Sequence, residues 1–309
     1  MISDTPDEVV EAREDRAGAV GCLSVARMLL DSAGARQAID VLRPMCERGE
    51  VAFPDRSLWT EALAIYVKSH LYVGDQAQVD LYLPELGRLF RTELAIGSDI
   101  RVRAAETLAG VALARGEYVT VLGICEGVSE SELAESDADL NFGILAKKQA
   151  ALYRLGRLAE AEAICGRTLA LVERERDDVR TGLVWLWLGN ICRARGMLTQ
   201  ALQMYAHATK HMRRGRDVIH LARIILNRAA VLNRIGETRE SAAEYREVRI
   251  LATQIGDRVT SLRAMLGVGM TELRNGEHRS ARRALLAAWR EARRVAASRE
   301  ECLALEFLA

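Results

Sequence analysis

Residues 185–205 read WLWLGNICRARGMLTQALQMY. The apolar residues on both sides of Gly196 recur at steps of three and four, the spacing of two amphipathic helices. Glycine between them suits a helix that ends in one left-handed residue. The same pattern surrounds Gly156 (AALYRLGRLAEAEAI, 150–164) and Gly236 (AAVLNRIGETRESAAEY, 229–245). Working outward, glycines stand at Gly34, Gly74, Gly116, Gly156, Gly196, Gly236 and Gly276, at intervals of 40, 42, 40, 40, 40 and 40. Two amphipathic helices around a short turn make a hairpin that cannot bury its apolar face alone. Several in tandem can stack and share one continuous core.

In the unit around Gly196, the residues Trp185, Leu188, Gly189, Gly196, Ala201, Tyr205 and Ala208 stand at the offsets of the tetratricopeptide repeat (TPR) consensus, and the chain resembles that family. Ala161, Ser241, Tyr245, Ala281 and Ala288 fall at matching places in neighbouring units. The resemblance covers roughly residues 20–309. It implies an all-α fold, a right-handed TPR-like α-solenoid of about seven helical hairpins plus a terminal helix. The period of about 40 exceeds the usual 34 of the family, so the helices or the links between repeats are longer. The family's proline near the end of the second helix is missing.

The expected organisation is an acidic lead-in helix over 1–19, capped by Thr5 with Pro6 and Glu8 in its first turn, followed by a solenoid over 20–309. Its units are 20–56, 57–97, 98–136, 137–176, 177–216, 217–256 and 257–297, with a partial eighth at 298–309. Pro44 and Pro84 fall midway along second helices and are expected to kink or divide them. Gly123, Gly127 and Gly166 weaken two others. In the repeat register Leu305, Leu308 and Ala309 occupy places of an eighth first helix, so either a fragment of a longer protein, the favoured expectation, or a last helix packed on something else is expected.

The chain has 309 residues, half of them hydrophobic, with 43 Lys+Arg against 43 Asp+Glu. That neutrality is a cancellation. Residues 1–155 hold 16 cations and 25 anions, and residues 156–309 hold 27 and 18. The composition is too apolar for disorder and too interrupted by charge for a membrane span. With no signal peptide and no CxxC pair among six cysteines, a reduced, cytoplasmic chain is expected.

Catalytic chemistry is not expected. There is no phosphate-binding loop, and Gly267-Val268-Gly269 lacks the third glycine of a dinucleotide site. His207 and His211 share a helical face but lack the metalloprotease glutamate, and read as ordinary surface histidines. Cys125 and Cys165 stand where neighbouring units have Tyr and read as core filling. No cofactor and no metal is called for.

What remains is a binding surface. TPR ligands most often lie on the concave face, formed by the first helix of each hairpin. Carrying those places over yields Lys68, Tyr72, Arg103, Tyr153 and Arg154 in the first half. In the second half it yields Leu183, Leu186, Asn190, Arg193, Arg223, Asn227, Asn233, Arg234, Arg263, Met270 and Arg274. Guanidinium groups suit carboxylates or phosphates, and asparagine suits a peptide backbone. Asn190, Asn227 and Arg263 match three of five places of a chaperone-tail clamp, but Leu186 and Gly267 stand where it needs cations.

The resemblance thus implies a protein- or peptide-binding scaffold, with an acidic ligand among the candidates. Its long period resembles the sensory TPR region of larger bacterial transcription or signalling regulators. Alternatives are a stand-alone receptor for a signalling peptide, nucleic-acid binding by the Arg-rich second half, and self-association of acidic with basic halves.

Overall fold

The computed structural model describes residues 6–92 and 97–308. Among these are sixteen α-helices and one 3-10 turn, and no strand. The chain forms two compact units, residues 1–161 and 162–309.

The first unit contains α1 (Pro6–Asp31), α2 (Ala35–Cys46), the 3-10 turn Glu50–Ala52, α3 (Arg56–Val73) and α4 (Gln76–Thr92). It continues with α5 (Ser98–Ala114), α6 (Tyr118–Glu126), the short α7 (Glu130–Glu135) and α8 (Ala138–Arg154). Helix α3 is packed on nearly every side: Leu63, Ala64, Ile65, Tyr66 and Val67 are all buried. Helix α5 packs on α3, α4, α6 and α8.

Several local expectations change here. Helix α1 runs without a break through Asp31, so the stretch read as a separate lead-in continues directly into the first hairpin. The cap expected from Thr5, and the side chain of Glu8 that would close it, lie outside the described residues. Gly34 is not left-handed (φ −86°); Ala33 takes that role with φ 63°, and the N–H of Gly34 closes the turn on the carbonyl of Leu29 at 2.7 Å. The turn is slid by one residue relative to Gly74, which is left-handed itself. Neither proline divides its helix. Pro44 lies in the last turn of α2, and α4 runs through Pro84, held by buried Val79, Leu86 and Leu89. Helix α6 is the weakened one: it ends after nine residues, with Gly127 as its cap. Gly166, by contrast, sits inside a full-length helix.

Helix α9 (Leu158–Glu175) leads into the second unit, which comprises α10 (Asp178–Ala194), α11 (Leu198–Gly215), α12 (Val218–Ile235), α13 (Thr238–Gln254), α14 (Arg258–Arg274), α15 (His278–Arg294) and α16 (Ser298–Leu308). A helix begins at 178, 198, 218, 238, 258, 278 and 298, one every twenty residues. The long period is therefore taken up by helices of 17 or 18 residues, not by longer links.

Two kinds of turn alternate. Inside hairpins the left-handed residue is Gly196, Gly236 or Gly276, and the next N–H bonds back to Cys192, Leu232 or Glu272 at 2.9–3.0 Å. Between hairpins it is Arg176, Arg216, Gly256 or Ala296, with φ of 53–72°. After the first three of these comes Asp177, Asp217 or Asp257, each capping the next helix by accepting from a backbone N–H at 2.9 Å. Such a cap stabilises a helix by about 1 kcal/mol.

Two clusters lie in the core of this unit among the described residues. One centres on Tyr205, Met212, Ile224, Ile225, Val231 and Val248, the other on Leu262, Leu266, Leu285, Ala288, Ala292 and Ala304. Close approach is possible because first helices carry small residues at the crossing. A Cβ at Gly189 would lie 2.5 Å from the Tyr205 ring, and one at Gly267 would lie 2.3 Å from the Tyr245 ring. Along the array α10 touches α12, α12 touches α14, and α14 touches α16, so first helices form a contiguous face.

Candidate ligand-binding face

In the second unit the central residue of this face is Asn190 of α10. Its Oδ1 accepts from the hydroxyl of Tyr205 at 2.8 Å and from Nδ2 of Asn227 on α12 at 3.2 Å. One amide thus joins the two helices of its own hairpin to the next hairpin. Asn233 is buried; its backbone carbonyl accepts from the Arg274 guanidinium, while its Oδ1 has no protein partner. Arg263 donates to the buried carboxylate of Glu300 at 2.8 Å. Arg193 is half-buried and already engaged.

Two expected site residues differ from these. Arg223 and Arg234 on α12 are exposed, and their guanidinium groups pair with no described residue. Together with the outer face of Asn227 they make α12 the part of this surface with unspent hydrogen-bonding capacity. Leu183 and Met270 are half-buried and Leu186 is buried in the core. Of the clamp-like set, Asn190 and Asn227 bond each other and Arg263 is held by Glu300. Gly267 lies beneath Tyr245.

Sequence reasoning overlooked Arg228, which donates to the buried Glu244 at 2.7 Å. Burial pushes the Glu244 carboxyl up, and Arg228 offsets this only in part. It also overlooked the partners of the two histidines. His207 stacks on Trp185 with ring centroids 4.7 Å apart, and His211 pairs with Asp178 at 2.6 Å. No group of three or more His, Cys, Asp or Glu suited to a metal occurs among the described residues. Cys125 and Cys165 are buried, and burial pushes their thiols up to about 11 and about 12.

The first unit has a different first-helix face. Glu106 of α5 accepts from Lys68 of α3 at 2.9 Å and from Lys147 of α8. Burial disfavours its charge, yet Lys147 and Lys68 outweigh that and bring the carboxyl down to about 2. One step earlier, buried Glu61 of α3 pairs with Arg27 of α1, and Arg103 of α5 stands 3.8 Å away. The cations expected to meet a ligand, Lys68 and Arg103, are therefore turned to internal carboxylates. Tyr72 is exposed beneath Lys68, 5.9 Å from its Nζ to the ring centre, and Tyr153 is half-buried and engaged. Arg154, next to it, is exposed. The two glutamates carried no signal in the sequence beyond being charges within apolar stretches.

Tandem hairpins of this pattern define the class: a TPR-like α-solenoid. The sequence matches no family model and no curated protein. Solved structures do resemble it. A Rap protein complexed with competence and sporulation factor is 12% identical, with a TM-score of 0.66 over 89% of this chain and 76% of that one. NprR in complex with its cognate peptide NprX is 13% identical, with a TM-score of 0.62 over 93% and 82%. A signal-transduction ATPase with a tetratricopeptide repeat sensor, from Pyrococcus horikoshii, is 13% identical with a TM-score of 0.61, over 89% of this chain and 42% of that protein. At these identities the likeness is one of fold. No helix among the described residues is long and apolar enough to cross a membrane.

Proposed function

We propose that this chain is a non-catalytic protein- or peptide-binding scaffold, the sensory TPR region of a larger bacterial transcription or signalling regulator. Its ligand engages the first-helix face of the second unit. The observation that carries this reading is the contrast on that face. Arg263 and Arg274 are anchored internally, while Arg223 and Arg234 flank Asn227 on α12 with their guanidinium groups unspent. Two free guanidinium groups beside an amide suit an acidic peptide or a C-terminal carboxylate held against a backbone. The likeness in fold to NprR, solved with its cognate peptide, supports a peptide as the ligand.

The test is selection of short peptides with free C-termini on the 309-residue protein, followed by calorimetry. Acidic binders whose affinity falls at least about tenfold in Arg223→Glu/Arg234→Glu support the proposal. No enrichment, or binders indifferent to both substitutions, overturns it. Binding of RNA or DNA that weakens steeply with salt and depends on the same arginines would instead favour the nucleic-acid reading.

The likeness to Rap and NprR favours a second reading, a stand-alone receptor for a signalling peptide. A peptide that changes binding of the 309-residue chain to a separate protein target supports it. A response that requires an attached output domain supports the first.

A further inference from the structure

A second site lies in the first unit. Helix α6 stops after nine residues where the comparable helices of the second unit run for 17 or 18, and this leaves a gap over α5. The gap is a cavity of about 680 Å³ between α4, α5 and α6. Its apolar lining includes Leu108 and Val111 of α5, Leu83 and Phe90 of α4, and Ile124 of α6. Three lining positions, Gly87, Gly123 and Gly127, have no side chain to fill it. The volume lies in the range of about 300–1,000 Å³ typical of small-molecule sites.

The polar rim carries three arginines and one glutamate. Of its three arginines, two are committed. Arg101 donates to the carbonyls of Phe90 at 2.6 Å and Gly127 at 2.8 Å, and pairs with Glu132 at 2.6 Å. It thereby ties the end of α4 to the end of α6 and fixes the width of the gap. Arg115 pairs with Asp80. Arg91 is the exception: its guanidinium pairs with no described residue. Its Nη1 lies 3.4 Å from the point where a Cβ of Gly87 would stand, so the missing side chain lets the cation lie over the cavity. Glu117 and Thr120 complete the rim.

We infer that this cavity binds an amphipathic monoanion: an acyl or aryl body against the α5 floor and a carboxylate on Arg91. An apolar body alone would leave Arg91 unused. A carboxylate there gains a two-pronged, charge-assisted hydrogen bond at the cavity mouth.

Calorimetry of the full chain with saturated carboxylic acids of ten to fourteen carbons, below their micellar concentrations, tests this. The expected result is saturable binding that strengthens with chain length. It should weaken by about tenfold for the matching neutral alcohols and in Arg91→Ala. Gly123→Leu should abolish it: a Cβ there meets no atom within 4 Å, so the side chain enters the gap without disturbing the helix. Thr120→Phe, exposed on the same helix, is an independent block if the first variant folds poorly. Arg223→Glu/Arg234→Glu should leave acid binding unchanged, which separates this site from the peptide face. Absence of binding by every acid overturns the inference, as does binding indifferent to both Gly123→Leu and Arg91→Ala.

Discussion

Lys68 of α3 holds its Nζ 2.9 Å from Oε2 of Glu106 on α5, a residue 38 positions later. The same carboxylate takes Lys147 of α8 on its other oxygen, so one buried anion ties three successive first helices. Its folded pKa of about 2 lies below the ordinary 4.5. The stabilisation is thus complete above about pH 4.5 and is lost as pH falls through about 2. Glu106→Gln should destabilise the protein at pH 7 by about 3 kcal/mol, since it leaves two half-buried ammonium groups without their anion. Urea unfolding at several pH values checks this: the gap between the two proteins should be constant above pH 5 and narrow steadily below pH 4.

Gly189 lies under the ring of Tyr205, with 2.5 Å between the ring and the place of a Cβ. Gly189→Ala should lower stability by about 1–3 kcal/mol through overpacking, although alanine is the better helix former. Adding Tyr205→Leu should recover part of the loss. Thermal unfolding of the single and double variants measures it; an unchanged Tm for Gly189→Ala would mean the ring has room to move.

Arg216 ends α11 in the left-handed conformation (φ 56°, ψ 27°), which a side chain disfavours by about 1 kcal/mol. Arg216→Gly should therefore stabilise the protein by up to about that amount. The greater freedom of glycine in the unfolded chain offsets part of the gain. Arg176→Gly is the matching test one repeat earlier, and chemical denaturation reads both.

Of the six cysteines, Cys302 is exposed, whereas Cys46, Cys125, Cys165 and Cys192 are buried; burial pushes all four thiols up, the first three to about 11–12. Alkylation at pH 8 under native conditions should label Cys302 first and Cys22 more slowly. The four buried thiols should react only after unfolding, because the thiolate is the nucleophile. Peptide mass mapping over time distinguishes the classes.

The hairpins were legible because Gly156, Gly196, Gly236 and Gly276 mark one turn type with one residue, and no other residue enters the left-handed region so readily. The turns between hairpins were not, because Arg176, Arg216 and Ala296 do the same work under tertiary compulsion. A signal was nonetheless present: Asp177, Asp217 and Asp257 recur every 40 residues just where a helix cap is needed. Gly34 misled by a single position, because the turn it closes places Ala33 in the left-handed conformation. The binding face was harder to read. The repeat register places Lys68, Arg103, Arg223 and Arg263 on first helices alike. Only the folded chain separates those facing a buried glutamate from those facing outward, since each partner among Glu61, Glu106 and Glu300 comes from another helix than its cation.

The paired residues Arg176–Asp177 and Arg216–Asp217 have a consequence for how such a chain can change length. Removing residues 177–216 would join Arg176 directly to Asp217 and restore the same dipeptide at the junction. An in-frame crossover between the two coding segments would thus delete or duplicate a whole hairpin without creating a new seam. Selection would then act on the number of repeats while each joint stays intact.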